Sequence, residues 1–549
     1  MVCIPFARSA AVAGVLTLLV GASGSVHAAP ARHRLDTRTR ASTTLIYGTD
    51  QEPDTLNRLI TQLETSANIL AGVMDTLVQS DAHDNFVPDL ATTYRISTDN
   101  LTYTFHLRHG VKWADGAPFT AKDVVFTYQQ IKNPKNNNAS TLGWDHITRV
   151  DTPDNYTVVF HTTKVYAPFL TDVGETAILP AHYFQHSSSF VKSGNFNHDP
   201  YNRTPFGTGP YKVTEWKSAD HITLVPNAYY WGHKPYFQRI VVKIVPNVNT
   251  LLVQLRTDEV QLAGVTQQQV AQATGIPGKT LIQRPGQSWY HIDLKQYGFM
   301  RDQKVRLALD YATPKQEILA KVLHGYGQIA NGDIAPISWA YPSDVPTHPF
   351  SLKTAAALLA ADGFSKGSDG VLRKGGQPLA IQLWFFSSDA PGAQIDEILK
   401  YEWGQLGVKV DLHHQDVSTI FGAGGPQFTK QMTAINYAWF NGNDPDDAYY
   451  WNSAQIPSTP TGAGGNDVGY FYKFSFQKQI DDLTNAGIAT VDRTKRKAIY
   501  AHIERLLADQ VPVIFLDWEP LLYVQPKGLQ GFNPNAFSNL FYNVQDWHY

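Results

Sequence analysis

The stretch from Leu101 to Val124, LTYTFHLRHGVKWADGAPFTAKDV, decides the fold. Leu101 to Arg108 alternate apolar and polar side chains. That alternation predicts a half-buried strand, because successive side chains leave a strand on opposite faces. Asp115-Gly116 reads as a tight turn, with glycine supplying the positive φ. Thr120 and Asp123 stand three apart, ahead of the apolar positions Val124, Val125, Tyr128 and Ile131. This spacing predicts a capped helix, halted by Asn133-Pro134.

The same mixture extends in both directions. Period-two apolar positions predict strands at Tyr156, Val158 and Phe160, at Ile222 and Leu224, and at Ile240, Val242 and Ile244. Thr313 reads as the cap of a helix with Pro314 first, Gln316 third and Gly325 at its end. Ile395, Ile398, Leu399, Glu402 and Leu406 run at helical spacing to a stop at Gly407, followed by a strand from Val408 to Leu412. Arg493 to Asp509 is an amphipathic helix ending before Val511-Pro512. Alternating helices and strands predict an α/β class. Breaks rich in Gly, Asn and Pro fall near 132–139, 193–210, 331–350, 363–376, 422–427 and 457–467. Several exceed the usual loop of roughly 4–6 residues.

The N-terminus has the layout of a secretory signal. Arg8 is its only charge, Ala10 to Val20 is apolar, and Val26-His27-Ala28 ends it with small residues. Cleavage after Ala28 is expected, and the apolar run is too short for a membrane span of roughly 20 residues. Residues 29–41 read as a disordered leader. The single cysteine, Cys3, precedes the apolar run, so it cannot be a lipid-bearing cysteine placed after it, and no membrane anchor is expected. The mature chain would then lack thiol chemistry and Cys-based metal sites, with 44 basic against 48 acidic residues. A basic footprint for nucleic acid is absent. With 12% aromatic and 17% charged residues, the composition suits a large core or a ring-lined cavity.

Residues 103–124 resemble the signature strand–turn–helix of the family 5 extracellular solute-binding proteins, the oligopeptide- and dipeptide-binding group of ABC importers. Further blocks follow in the family's order. They are Gly207-Thr208-Gly209-Pro210-Tyr211 with Trp216 and Pro226 to Trp231, then Asp302 to Leu309, then Asn443-Asp444-Pro445-Asp446. Gly207 and Gly209 are expected to turn the chain sharply before Pro210. The resemblance covers nearly all of the chain after residue 42. It implies a class II periplasmic-binding-protein-like fold, in which two mixed α/β lobes close on a ligand cleft beside an extra domain II. Domain I would comprise 42–75, 201–286 and 517–549, domain II 76–200, and domain III 287–516. A monomer is expected. It would be free in the periplasm, carrying a peptide or peptide-like molecule to ABC permease subunits and only indirectly to their ATPase.

The resemblance also implies three cleft segments. The first contains Thr61, Gln62 and Glu64, a stretch that in relatives pairs with the ligand main chain like an added strand. The second opens domain III with Trp289, Tyr290 and His291. The third contains Tyr437, Trp439, Phe440, Asn441 and Asp444. In peptide-binding relatives an aspartate four residues before the proline meets the ligand's α-amino group, and here that position is Asn441. Trp439 takes the neighbouring tryptophan's place if a one-residue shift is allowed. Asparagine accepts a hydrogen bond but cannot neutralise an ammonium, and an unpaired buried charge is costly. The reading is therefore a ligand with a neutral or modified end, or charge supplied instead by Glu64, Asp444 or Asp446. A non-peptide cargo such as an opine, sugar, amino-acid conjugate or metal chelate is the alternative.

Enzyme and metal signals are weak. No Gly-x-Ser-x-Gly elbow is present, and the glycine runs at 422–425 and 462–465 lack the Lys-Ser/Thr of a phosphate loop. His182 and His186 lack the glutamate of a zinc helix, and adjacent His413 and His414 would face opposite sides of a strand. Asp444, Asp446 and Asp447 lack EF-hand spacing. No catalytic residue, metal ligand or cofactor is assigned, and a secreted hydrolase is the competing class.

Overall fold

A computed structural model describes residues 43–549, except 62, 142, 423 and 460–463. The expected signal at 1–28 and leader at 29–41 lie outside the described residues. So does Gln62.

Eleven strands of the described chain form one mixed sheet. Its order is Lys409–Gln415, Ala380–Phe386, Ala434–Trp439, Lys279–Leu294, Val513–Pro526, Leu262–Gly264, Thr44–Thr49, Arg239–Ile244, His221–Pro226 and Tyr211–Lys217, with Gln328–Ile329 also pairing on Val513–Pro526. The two long strands at the centre, Lys279–Leu294 and Val513–Pro526, are antiparallel and serve both halves. Lys279 to Pro285 pair with Pro520 to Pro526 in one half, and Trp289 to Asp293 pair with Val513 to Trp518 in the other. The register breaks between Pro285 and Trp289. Gly286 sits in that break, where an added Cβ would stand 2.2 Å from the Glu519 carbonyl oxygen. Only glycine allows the backbones to approach so closely there.

Separate cores lie on the two sides of this crossing. One contains Leu45, Tyr47, Trp113, Ile240 and Trp547; the second contains Tyr290, Ile292, Trp403 and Leu516; the third contains Trp289, Trp451, Ile503 and Phe515. A second, antiparallel sheet has the order Ala91–Ile96, Thr102–Leu107, Thr157–Thr162, Ile147–Asp154 and packs into the first core.

The opening stretch forms as its pattern predicts. Thr102–Leu107 buries Tyr103, Phe105 and Leu107 and turns the intervening residues outward. Gly116 has φ +93°, and the Ala117 amide donates to Asp115 Oδ1 at 3.0 Å. Helix Ala121–Ile131 starts with a complete capping box: the Lys122 amide donates to Thr120 Oγ1, and the Thr120 amide to Asp123 Oδ2 at 2.9 Å. Gly407, at φ +97°, ends helix Ala390–Leu406 in the left-handed conformation.

One expectation is corrected. The helix expected from Thr313 to Gly325 spans only Lys315–Lys321. Thr313 is not its cap, because its hydroxyl donates back to the Leu309 carbonyl at 2.8 Å. The chain bends over residues 208–210 as expected, without positive φ at Gly207 or Gly209. Their role is close approach, since Cβ atoms there would stand 2.0 and 2.8 Å from the Val73 carbonyl oxygen.

Candidate ligand cleft

Lys279–Leu294 is pleated, so Trp289, His291 and Asp293 share one face. The neighbouring strand sets Trp439 opposite Trp289 and Tyr437 opposite His291. The result is a continuous ring wall. Centroid separations are 4.2 Å for Trp289–His291, 4.5 Å for His291–Tyr437, 5.7 Å for Tyr437–Trp439 and 4.9 Å for Trp439–Tyr450. Asn441 continues the wall, its Oδ1 accepting the Trp289 indole N–H at 2.7 Å. Phe440, half exposed, follows Trp439 directly.

A buried charge cluster orients these rings. Asp293 accepts the Tyr437 hydroxyl at 3.1 Å, and its carboxylate lies 3.2 Å from both Lys295 Nζ and His291 Nε2. Burial pushes the Asp293 carboxyl up, but Lys295 and His291 more than offset this and hold it at about 2. Period-two spacing of Trp289, His291 and Asp293 is the signal from which Asp293 could have been found.

Tyr290 points to the opposite face. Its hydroxyl donates to Asp389 Oδ2 at 2.6 Å and lies 3.0 Å from Asn436 Oδ1. Asp389 in turn caps helix Ala390–Leu406 through the Gly392 amide. Tyr290 is thus separated from the ring wall of Trp289, Tyr437 and Trp439 by the thickness of the sheet.

Asp444 is occupied. Arg496 clasps it with two donors, at 2.6 and 2.9 Å. Asp446 accepts the Ala448 amide at 2.9 Å, and burial together with Asp444 raises its carboxyl to about 7. Asn443, just before Asp444, donates to Glu175 Oε2 at 3.2 Å and to the Phe537 carbonyl at 2.7 Å.

The first segment leads from a buried threonine into a helix. Thr61 is buried, its hydroxyl donating to Asp54 Oδ1 at 2.6 Å. Glu64 is exposed and opens helix Glu64–Ala71. Its charge reaches Glu519, whose carboxyl is raised by burial, by Asp389 and by Glu64, against the lowering effect of the Ser288 hydroxyl bond at 2.5 Å. Glu64 and Asp389 thus both raise the buried Glu519 carboxyl, and sequence reading missed Asp389, Ser288 and Glu519 because they meet only in the fold.

Two half-sheets sharing a pair of crossing strands, with a ring wall carried on one of them, define a two-lobed solute-binding fold. The profile of "Bacterial extracellular solute-binding proteins, family 5 Middle" matches residues 85–457, and the chain belongs to that family. It is 26% identical to the oligopeptide-binding protein AppA of Bacillus subtilis over 511 residues, covering 92% of this chain and 91% of the relative. It is also 26% identical to the dipeptide-binding protein of Escherichia coli, covering 89% and 92%. Among solved structures, AppA from Bacillus subtilis in complex with a nonapeptide matches with TM-score 0.77 at 25% identity, covering 92% of this chain and 99% of that one. NikZ from Campylobacter jejuni in complex with Ni(L-His) matches with TM-score 0.81 at 25% identity, covering 92% and 100%. The class II-like mixed α/β expectation is borne out at this level. No helix among the described residues is long and apolar enough to cross a membrane.

Proposed function

We propose that the chain is the periplasmic substrate-binding component of an ABC importer, capturing peptides or peptide-like solutes and delivering them intact to the permease. Family membership over residues 85–457 is the observation that carries this reading. Export by cleavage after Ala28 yields a free, unlipidated monomer. Domain I takes 42–75, 201–286 and 517–549, domain II 76–200 and domain III 287–516. Domains I and III close on cargo by bending at the two central strands, Lys279–Leu294 and Val513–Pro526, the pair of crossings that a hinge requires. The role is carriage rather than catalysis.

The cargo's end near Asn441 is neutral or blocked. Asn441 Oδ1 already accepts from Trp289, Asp444 is taken by Arg496, and Asp446 is raised to about 7. Glu64, exposed at the start of helix Glu64–Ala71, is the carboxylate left to draw a cationic group. Trp439 and Phe440 supply apolar contact that tolerates varied side chains. Native mass spectrometry of the exported protein, before and after incubation with a peptide mixture, tests the role. Intact small molecules retained one per chain support it. Cleaved peptides, or no retained molecule from any mixture, contradict it.

A further inference from the structure

Where the first core meets the third, a cavity of about 360 Å³ opens between two layers. One layer supplies Asp84, Tyr94 and Tyr103; the other supplies Trp339, Val491 and Arg493. Of the cleft residues described above only Asp444 and its partner Arg496 border it, and Arg496 neutralises that carboxylate. The volume lies within the range of small-molecule sites.

The cavity presents three recognition elements. Asp84 is 3% exposed and lines the cavity, where its carboxylate feels the Arg493 and Arg496 charges. Arg493 lies over the Trp339 ring at 5.1 Å, gives one donor to the Asp84 carbonyl at 2.8 Å, and makes no ion pair with a described residue. Tyr94 and Val491 leave apolar surface open, each 37% exposed. A desolvated carboxylate lining a cavity attracts a cation, and a guanidinium with spare donors fits a carboxylate. The open ring and branched chain suit an apolar side chain.

We propose that this cavity binds a free α-amino acid with an aromatic or large aliphatic side chain, its ammonium on Asp84 and its carboxylate on Arg493. A ligand held by both layers binds best in the arrangement that keeps them together, so its binding favours their association. Burial raises the Asp84 carboxyl to about 7; Arg493 and Arg496 oppose the rise, while Asp444 and Asp81 add to it, and Glu175 also faces Asp84. Affinity therefore weakens as pH falls through about 7, because a protonated Asp84 no longer attracts the ammonium.

Isothermal titration of the purified mature protein with L-phenylalanine, N-acetyl-L-phenylalanine and phenethylamine tests the site. The expected result is one phenylalanine bound per cavity, with each analogue weaker by roughly tenfold or more, the factor for losing one charged contact of about 1.4 kcal/mol. Asp84→Asn and Arg493→Gln each weaken phenylalanine by a similar factor, and Asp84→Asn also flattens the pH profile between 6 and 8. No phenylalanine binding at millimolar concentration overturns the proposal. So does binding that neither variant alters, which would put phenylalanine in the main cleft.

Discussion

The indole N–H of Trp289 donates to Asn441 Oδ1 at 2.7 Å, joining a central strand to the loop that precedes Pro445. The bond commits the asparagine oxygen to the protein and sets Trp289 against the Tyr450 edge at 5.9 Å. Trp289→Phe keeps a ring but removes the donor. Because Asn441 is only partly buried, water can replace part of what is lost, and the expected cost is about 1 kcal/mol. Urea unfolding of the variant against wild type checks this.

Asp293 holds two potential cations in the interior, Lys295 and His291. Its folded value of about 2 lies below the ordinary carboxylate value, so its contribution is present at neutral pH and is lost as pH falls through about 2. Asp293→Asn leaves Lys295 buried without its counter-charge. Such a break costs about 3–5 kcal/mol, measured as a lower urea midpoint at pH 7.

Asp84, Glu175 and Asp446 all stand near pH 7 in the folded chain. An unfolded carboxyl titrates near 4, so between these values the folded state binds more protons. Their contribution is present below about pH 4 and is lost as pH rises through about 7. Stability is therefore expected to fall from pH 6 to pH 8. Asp446→Asn keeps an acceptor for the Ala448 amide and is expected to gain about 1 kcal/mol at pH 8 while flattening that slope. Thermal unfolding across the pH range reads both effects.

Gly207→Ala is expected to destabilise by about 1–3 kcal/mol, as overpacking does, because its Cβ would stand 2.0 Å from the Val73 carbonyl oxygen. Gly110→Ala meets no atom within 4 Å, and its cost comes only from φ +77°. Comparing the two unfolding midpoints separates contact from conformation.

The fold is legible in the sequence where local rules agree. Thr102–Leu107 alternates, Thr120 and Asp123 cap the next helix, and Gly407 ends helix Ala390–Leu406, all through neighbours close in the chain. Thr313 misleads because its hydroxyl is claimed by Leu309, an alternative that the cap pattern does not reveal. The ring wall is half legible: Trp289, Tyr437, Trp439 and Asn441 come together, whereas Tyr290 lies across the sheet. Asp444 reads as an available carboxylate only until Arg496, 52 residues away, is placed beside it. The charges of Glu64 and Asp389 act on Glu519 from distant segments, and no local spacing encodes that.

In the proposed cleft, cargo is held without a carboxylate for its amino end at Asn441. Isothermal titration of the mature protein with a retained peptide-like ligand in free and N-acetylated forms tests it most directly, with Asn441→Asp alongside. Wild-type affinities for the two forms are expected to lie within about tenfold, with Asn441→Asp shifted toward the free amine. Loss of tight wild-type binding on acetylation would contradict it.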